Sequence, residues 1–459
     1  MVNAGARLDR LPISRFHYGL LGLIAGGMFL DAFEIYLQGG VLAALVASGW
    51  STPAINANFL SATFGGMVIG AYLAGVFGDR YGRRAAYQVN LLIFGLASLA
   101  GAMAPSMNWL IGLRFLMGLG LGAEIVVGYV TISEFVPPGS RGRWGTGLAV
   151  ITNSALFFSA LIGRFVIPNF GWRWMFVIVG VGALIVWFLR RNMPESPRWL
   201  ESKGRDAKAE AQLREIERQV APNGNLPDAP VAPVVLKRDV SIFTLFTPRV
   251  VMRTITGSVV LIALNVMIYG FIQFLPTFMV KQGMSIVTSL NYTTLMSFGG
   301  PVGALIGFFL ADRLGRRNLL IGFSLVAIAF GLAYPHADDP VTITLLGFGL
   351  VTSVYVLVAV GWALYVPELF PTEIRMRGNG FCNMAGRMMA IIMPQFIVPL
   401  FGAGGVGGVM ALVIGLLVLM TILVALTGYE ARRTSLEAVT PWAEEDEKLA
   451  RIARAPARL

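Results

Sequence analysis

A short charged sequence occurs twice in this chain. Gly78-Asp79-Arg80-Tyr81-Gly82-Arg83-Arg84 returns as Ala311-Asp312-Arg313-Leu314-Gly315-Arg316-Arg317, which places Asp79 and Asp312 233 residues apart. Each copy sits between two apolar runs long enough to cross a bilayer, for which about 20 residues suffice. A second pair keeps the period: Glu134-Phe135-Val136-Pro137 with Arg141, then Glu368-Leu369-Phe370-Pro371 with Arg375, an offset of 234. Self-similarity over half the length, punctuating membrane-length segments, constrains the chain to two related halves, the construction of many transporters.

Composition agrees. With 56% hydrophobic and 13% charged residues and a mean hydropathy of +0.70, there is too little polar surface to cover a soluble particle. Apolar runs of spanning length fall at roughly 17–42, 57–78, 86–104, 108–133, 144–168, 173–190, 250–280, 289–311, 318–335, 341–366, 378–401 and 405–427. The expected fold is an all-α integral membrane protein, with twelve transmembrane helices in two pseudo-symmetric six-helix bundles. Residues 1–190 form the first bundle, 191–249 a linker, 250–427 the second bundle and 428–459 a tail. The linker is the one long polar interruption, helical and charged from Glu201 to Gln219, then rich in proline and alanine.

Lysine and arginine set the orientation, because positive residues are retained on the cytoplasmic side. Arg7, Arg10 and Arg15, the two repeated loops, the stretch from Arg190 to Arg253 and the tail from Arg432 are basic, whereas the opposite connections offer only Arg173 and Lys281. Both termini are therefore expected in the cytoplasm. The net charge of +11 has this same origin and points to contact with anionic headgroups of the lipid bilayer, not to nucleic acid. The first apolar run is too long for a signal peptide and reads as a retained helix. A lone cysteine, Cys382, and two histidines leave no disulfide framework, metal cluster or histidine-centred active site, so no enzyme and no cofactor are expected.

The two Asp-Arg loops, Arg141-Gly142-Arg143, Pro194-Glu195-Ser196-Pro197-Arg198-Trp199-Leu200 and Pro367-Glu368-Leu369-Phe370-Pro371-Thr372-Glu373-Ile374-Arg375 together resemble the major facilitator superfamily. Within it they are similar to the branch of sugar porters, organic-ion transporters and bacterial metabolite–proton symporters. Tyr429-Glu430-Ala431-Arg432-Arg433 stands where that branch carries a second Pro-Glu-Thr-type motif, without its proline. The charges have a physical reading of their own. Asp79 and Asp312 can cap neighbouring helices, while Arg83, Arg84, Arg141, Arg143, Arg316 and Arg375 can reach Glu134, Glu195, Glu368 or Glu430. Such pairs are expected to latch the two halves together on the cytoplasmic side.

Charges inside apolar spans are costly and mark cavities or partners. Asp31 and Glu34 lie one turn apart on one face of the first helix, Glu124 falls near the middle of the fourth and Arg387 near the middle of the eleventh. Arg114 and Arg164, nearer the helix ends, are positioned to snorkel. A guanidinium at mid-depth suits a carboxylate, which it can bind through two parallel hydrogen bonds. Arg387 also resembles the arginine of organic-anion transporters, and its alternative role is a structural ion pair with Glu124 or Asp31. Asp31-Ala32-Phe33-Glu34 resembles the Asp-x-x-Asp of aromatic-acid and metabolite–proton symporters, and Gly118-Leu119-Gly120-Leu121-Gly122-Ala123-Glu124 the fourth helix of the same group. Desolvation disfavours a carboxyl's charged form, which suits Asp31, Glu34 and Glu124 to carry protons.

Tyr36, Asn265, Tyr269, Gln273, Trp362 and Asn383 complete the expected substrate cavity. The seventh helix lacks the paired glutamines and asparagine of hexose carriers, and the fifth lacks the Gly-Pro-rich motif of drug antiporters. The expected function is proton-coupled import of a small organic anion, an aromatic or other monocarboxylate, by a chain acting alone in a bacterial inner membrane and driven by the proton gradient. The alternatives are a sugar or polyol porter, an organic-cation or drug–proton antiporter, and a transporter-like ligand sensor.

Overall fold

The computed structural model describes residues 2–222, 226, 242–248, 250–337, 339–370 and 374–427. Glu430 lies outside them, as do the side chains of Asp79, Arg141 and Asp312. The first half contains α1 (Arg15–Ala47), α2 (Pro53–Tyr81), α3 (Arg83–Ala102), α4 (Met107–Phe135), α5 (Pro138–Phe170) and α6 (Arg173–Arg190). The second contains α7 (Val251–Lys281), α8 (Ile286–Ala311), α9 (Arg316–His336) and α10 (Pro340–Glu368). A last helical stretch, Arg375–Thr427, is broken at Gly405 (φ 58°, ψ −150°), giving α11 (375–404) and α12 (406–427). Twelve membrane-length helices result.

The boundaries have local causes. Thr52 Oγ1 accepts the Ile55 N–H at 3.3 Å ahead of Pro53, and Asp339 Oδ1 accepts those of Val341 and Thr342 at 3.0 and 2.9 Å ahead of Pro340. The repeated loops turn on a glycine at matching positions, Gly82 (φ 106°) and Gly315 (φ 87°), values that L side chains rarely adopt. This is why glycine recurs in both copies.

Close approach in the first half depends on missing side chains. Gly66 and Gly70 of α2 face Gly118 and Gly122 of α4, and a Cβ at Gly70 or Gly122 would collide with the carbonyl of Leu119 or Met67. The glycine run of α4 therefore works as a packing surface. Two turns widen to π-helix, Val266–Ile272 in α7 and Gly361–Tyr365 in α10, a geometry frequent at functional sites. Tyr269 and Trp362 lie in those turns.

The halves touch through α1 against α7, α2 against α11, and α5 against α8. Hydrogen bonds mark the end of the molecule at which they close. Gln273 Nε2 donates to Ile35 O at 2.5 Å, Ser61 Oγ to Ile391 O at 2.6 Å, Thr294 Oγ1 to Ala160 O at 3.1 Å and Gln395 Nε2 to Asn58 Oδ1 at 2.9 Å. All four lie toward the end opposite the repeated loops. Gly39 and Gly40 let this closure form, with Gly39 against Gln273 O and Gly40 against Leu290.

The part of the linker up to Val220 does not run free. Its helices Pro197–Ser202 and Asp206–Val220 pack with the short N-terminal helix Ala4–Asp9, where Arg7 reaches Glu210 at 2.5 Å and Glu217 at 2.6 Å and Arg198 reaches Asp9 at 2.5 Å. Arg198 Nε also donates to Glu134 O at 2.8 Å, fixing the linker to the end of α4.

Candidate functional site

Within the first half, two arginines hold two of the three buried acids. Glu34 of α1 is paired with Arg114 of α4, both fully buried, and the guanidinium also donates to Thr63 Oγ1 at 3.2 Å and lies 4.7 Å from the Phe59 ring. The expectation that Arg114 snorkels is corrected: its stem enters a closed space between α1, α2 and α4, and Glu34 neutralises it there.

The second pair joins Glu124 of α4 to Arg190 at the last residue of α6, 2.5 Å apart and both buried. Arg190 Nε donates to Leu23 O at 2.9 Å and an Nη to Ile24 O at 3.0 Å, and the guanidinium lies 4.6 Å from the Tyr87 ring. Counting Arg190 with the cytoplasmic basic stretch is thus corrected. Side chains lean toward the N-terminus of their helix, so an arginine at a C-terminal end projects back into the bundle. Gly27 makes the room, since a Cβ there would overlap both Arg190 and Glu124. Asp31 faces Glu124, Arg190 and Glu34, is 1% exposed, and neither of its oxygens receives a hydrogen bond. Three acids therefore share two arginines.

Arg387 in α11 is half-buried and, among the described residues, makes no hydrogen bond or ion pair. The expected alternative pairing with Glu124 or Asp31 does not form, because Arg190 already occupies Glu124. Its electrostatic neighbour is the Tyr269 phenol. Tyr269 packs at a tilt against Phe64 of α2 with centroids 4.4 Å apart and lies within electrostatic reach of Tyr36 from α1 and Tyr355 from α10. Asn265 presses on Gly386, next to Arg387, donates to Leu261 O at 2.7 Å and leaves its Oδ1 buried without a donor. Asn383 turns back to Asn379 at 2.9 Å, and Trp362 is half-buried in its wide turn. The structure thus sets Asn265 and Tyr269 beside Arg387, with Tyr36 and Tyr355 around Tyr269. Gln273 belongs instead to the closure, where it and Tyr36 line a cavity of about 30 Å³, room for a couple of water molecules and no more.

The loop charges pair within each half. Arg83 meets Glu134 at 2.9 Å, Arg316 meets Glu368 at 3.2 Å, and Glu195 accepts the backbone N–H groups of Arg83 and Arg84 at 2.9 and 3.2 Å. Burial nevertheless raises the Glu195 pKa above the ordinary carboxylate range, outweighing the N–H groups it accepts. Arg84 donates to Arg191 O, Arg375 Nε to Phe370 O at 3.2 Å, and Arg143 is exposed. The expected latch across the halves is therefore corrected for these described pairs. Each loop faces a helix end of its own bundle in these pairs, and the four cross-half bonds given above lie at the other end.

These cross-half bonds give a testable consequence. Gln273→Ala removes one net hydrogen bond worth about 1 kcal/mol, so the closed population should fall roughly fivefold relative to the open one. Labelling of a cysteine replacing Ser159, which lines the cavity at the closure, by a membrane-impermeant thiol reagent reads this directly; unchanged labelling would show that Gln273 does not hold the closure.

A bundle of twelve helices in two halves, with a polar centre and closure at one end, is the form of a membrane transporter. The Major Facilitator Superfamily model matches residues 24–394, and the chain belongs to that family. It is 39% identical over 444 residues to the inner membrane metabolite transport protein YdjE of Escherichia coli (strain K12), covering 95% of this chain and 98% of that one. It is 32% identical over 436 residues to the niacin transporter NiaP of Acinetobacter baylyi (strain ATCC 33305 / BD413 / ADP1), covering 95% and 99%. The crystal structure of a D-xylose–proton symporter superposes with a TM-score of 0.70 at 17% identity, over 90% of this chain and 98% of that one, a likeness of fold. The protein is a transporter, not an enzyme.

Sequence reasoning missed Arg190, Gly27 and the Ser61, Gln395 and Thr294 closure. Only Gly27 carried a signal, a glycine one turn before Asp31 on the same face.

Proposed function

We propose that this chain imports a small organic anion, an aromatic or other monocarboxylate, together with protons across a bacterial inner membrane, with both termini in the cytoplasm. The observation that carries this reading is the unpaired guanidinium of Arg387 beside a group of tyrosines. A guanidinium with no acid beside it among the described residues is arranged for a carboxylate that arrives with the substrate. The surrounding phenol rings suit a flat, partly apolar body. Similarity to a niacin transporter supports this choice, since niacin is a ring bearing a carboxyl group.

In this orientation the closure lies outside and the structure faces the cytoplasm. Proton coupling rests on Asp31, which lacks a donor while Glu34 and Glu124 are each held by an arginine. Uptake of a radiolabelled aromatic monocarboxylate into vesicles should exceed equilibrium only under an inward proton gradient. Accumulation that survives a protonophore would overturn the coupling, and uptake confined to sugars would overturn the substrate class.

A further inference from the structure

At the loop end of the first half, a groove of about 700 Å³ opens between the start of α3 and the linker helices, lined by Arg84, Gln88, Trp199, Arg205, Lys208 and Glu215 among others. Its acids are already engaged. Glu195, which also lines it, accepts the N–H groups of Arg83, Arg84 and Ser196, and Glu215 accepts from Arg218 and Gln219. Two of its cations are available: the exposed side chains of Arg205 and Lys208 make no hydrogen bond or ion pair among the described residues, and Arg205 lies over the Trp199 ring at 5.3 Å.

The groove also continues into an apolar strip. From Gln88, the residues that follow at helical spacing on α3 are Val89, Leu92, Ile93 and Leu96, each 37–53% exposed, and α6 packs alongside with Ile185, Phe188 and Leu189 exposed. In a bilayer this strip meets acyl chains, and the basic groove lies at its cytoplasmic end.

We propose that the groove binds the phosphate headgroup of an anionic phospholipid whose acyl chains lie along the α3–α6 strip. The inference rests on the membrane orientation given above but not on the substrate. Charge selects the headgroup and the strip selects a lipid over a free phosphate. A lipid held there ties the helix Asp206–Val220 to α3.

Native mass spectrometry of the full-length protein in detergent, offered equal phosphatidylglycerol and phosphatidylethanolamine, tests this. The wild type should retain phosphatidylglycerol preferentially. Combining Arg205→Gln with Lys208→Gln should weaken that retention roughly 30-fold, at about 1 kcal/mol per basic residue. The charge-preserving pair Arg205→Lys and Lys208→Arg should keep it, which separates lost charge from lost folding. Equal retention of both lipids, or a neutralised variant that binds like the wild type, would overturn the proposal. Displacement of phosphatidylglycerol by millimolar inorganic phosphate would also overturn it, by identifying a site for soluble phosphate.

Discussion

Replacing Arg387 with lysine is expected to weaken carboxylate binding by roughly tenfold to a hundredfold while leaving the unfolding temperature unchanged. The charge survives but the planar fork is lost, and a hydrogen bond to a charged group is worth about 1.5–3 kcal/mol. Arg387→Ala should lose more affinity and should not destabilise the fold, since among the described residues no acid pairs with Arg387 and none is orphaned by its removal. Structural ion pairs behave in the opposite way, because removing one partner strands a buried charge. Calorimetric titration with niacin or another aromatic monocarboxylate, alongside thermal unfolding of the same samples, separates the two. Unaltered affinity with reduced stability would show that Arg387 holds helices together and that the anion binds elsewhere.

The two-half architecture was legible because it is written along the chain: the repeated loops, their offset and the apolar runs each follow from local order. Gly82 and Gly315 show why, since a single backbone angle at the turn demands the residue in both copies. Burial of Asp31, Glu34 and Glu124 was legible on the same grounds, from charge inside apolar sequence. Their partners were not. Glu124 meets Arg190 from a helix end 66 residues away, and the arginine's inward direction depends on how α6 packs on α1, a fact that no spacing within α6 contains. The loop charges failed differently. Their sign and order were visible, yet whether Arg83 meets Glu134 of its own half or an acid of the other depends on which end of the molecule is closed, and that is a property of the conformation.

Asp31 and Arg190 should separate coupling from folding. Asp31→Asn keeps the side chain's size and removes no hydrogen bond, so the protein should remain stable; yet accumulation against a gradient should disappear while exchange of substrate for substrate continues. Arg190→Met should instead cost about 3–5 kcal/mol, because Glu124 is left as an unpaired buried charge beside Asp31. Adding Glu124→Gln to Arg190→Met should restore most of that stability, since a pair replaced by groups of similar volume no longer contains an isolated ion. Thermal unfolding of the four proteins, with uphill uptake and exchange measured in vesicles, gives the comparison. Gradient-driven accumulation by Asp31→Asn at the wild-type level would remove Asp31 as the proton carrier. Glu124 would then be the acid to test, because its partner Arg190, unlike that of Glu34, also faces Asp31 and so holds the Glu124 charge less firmly.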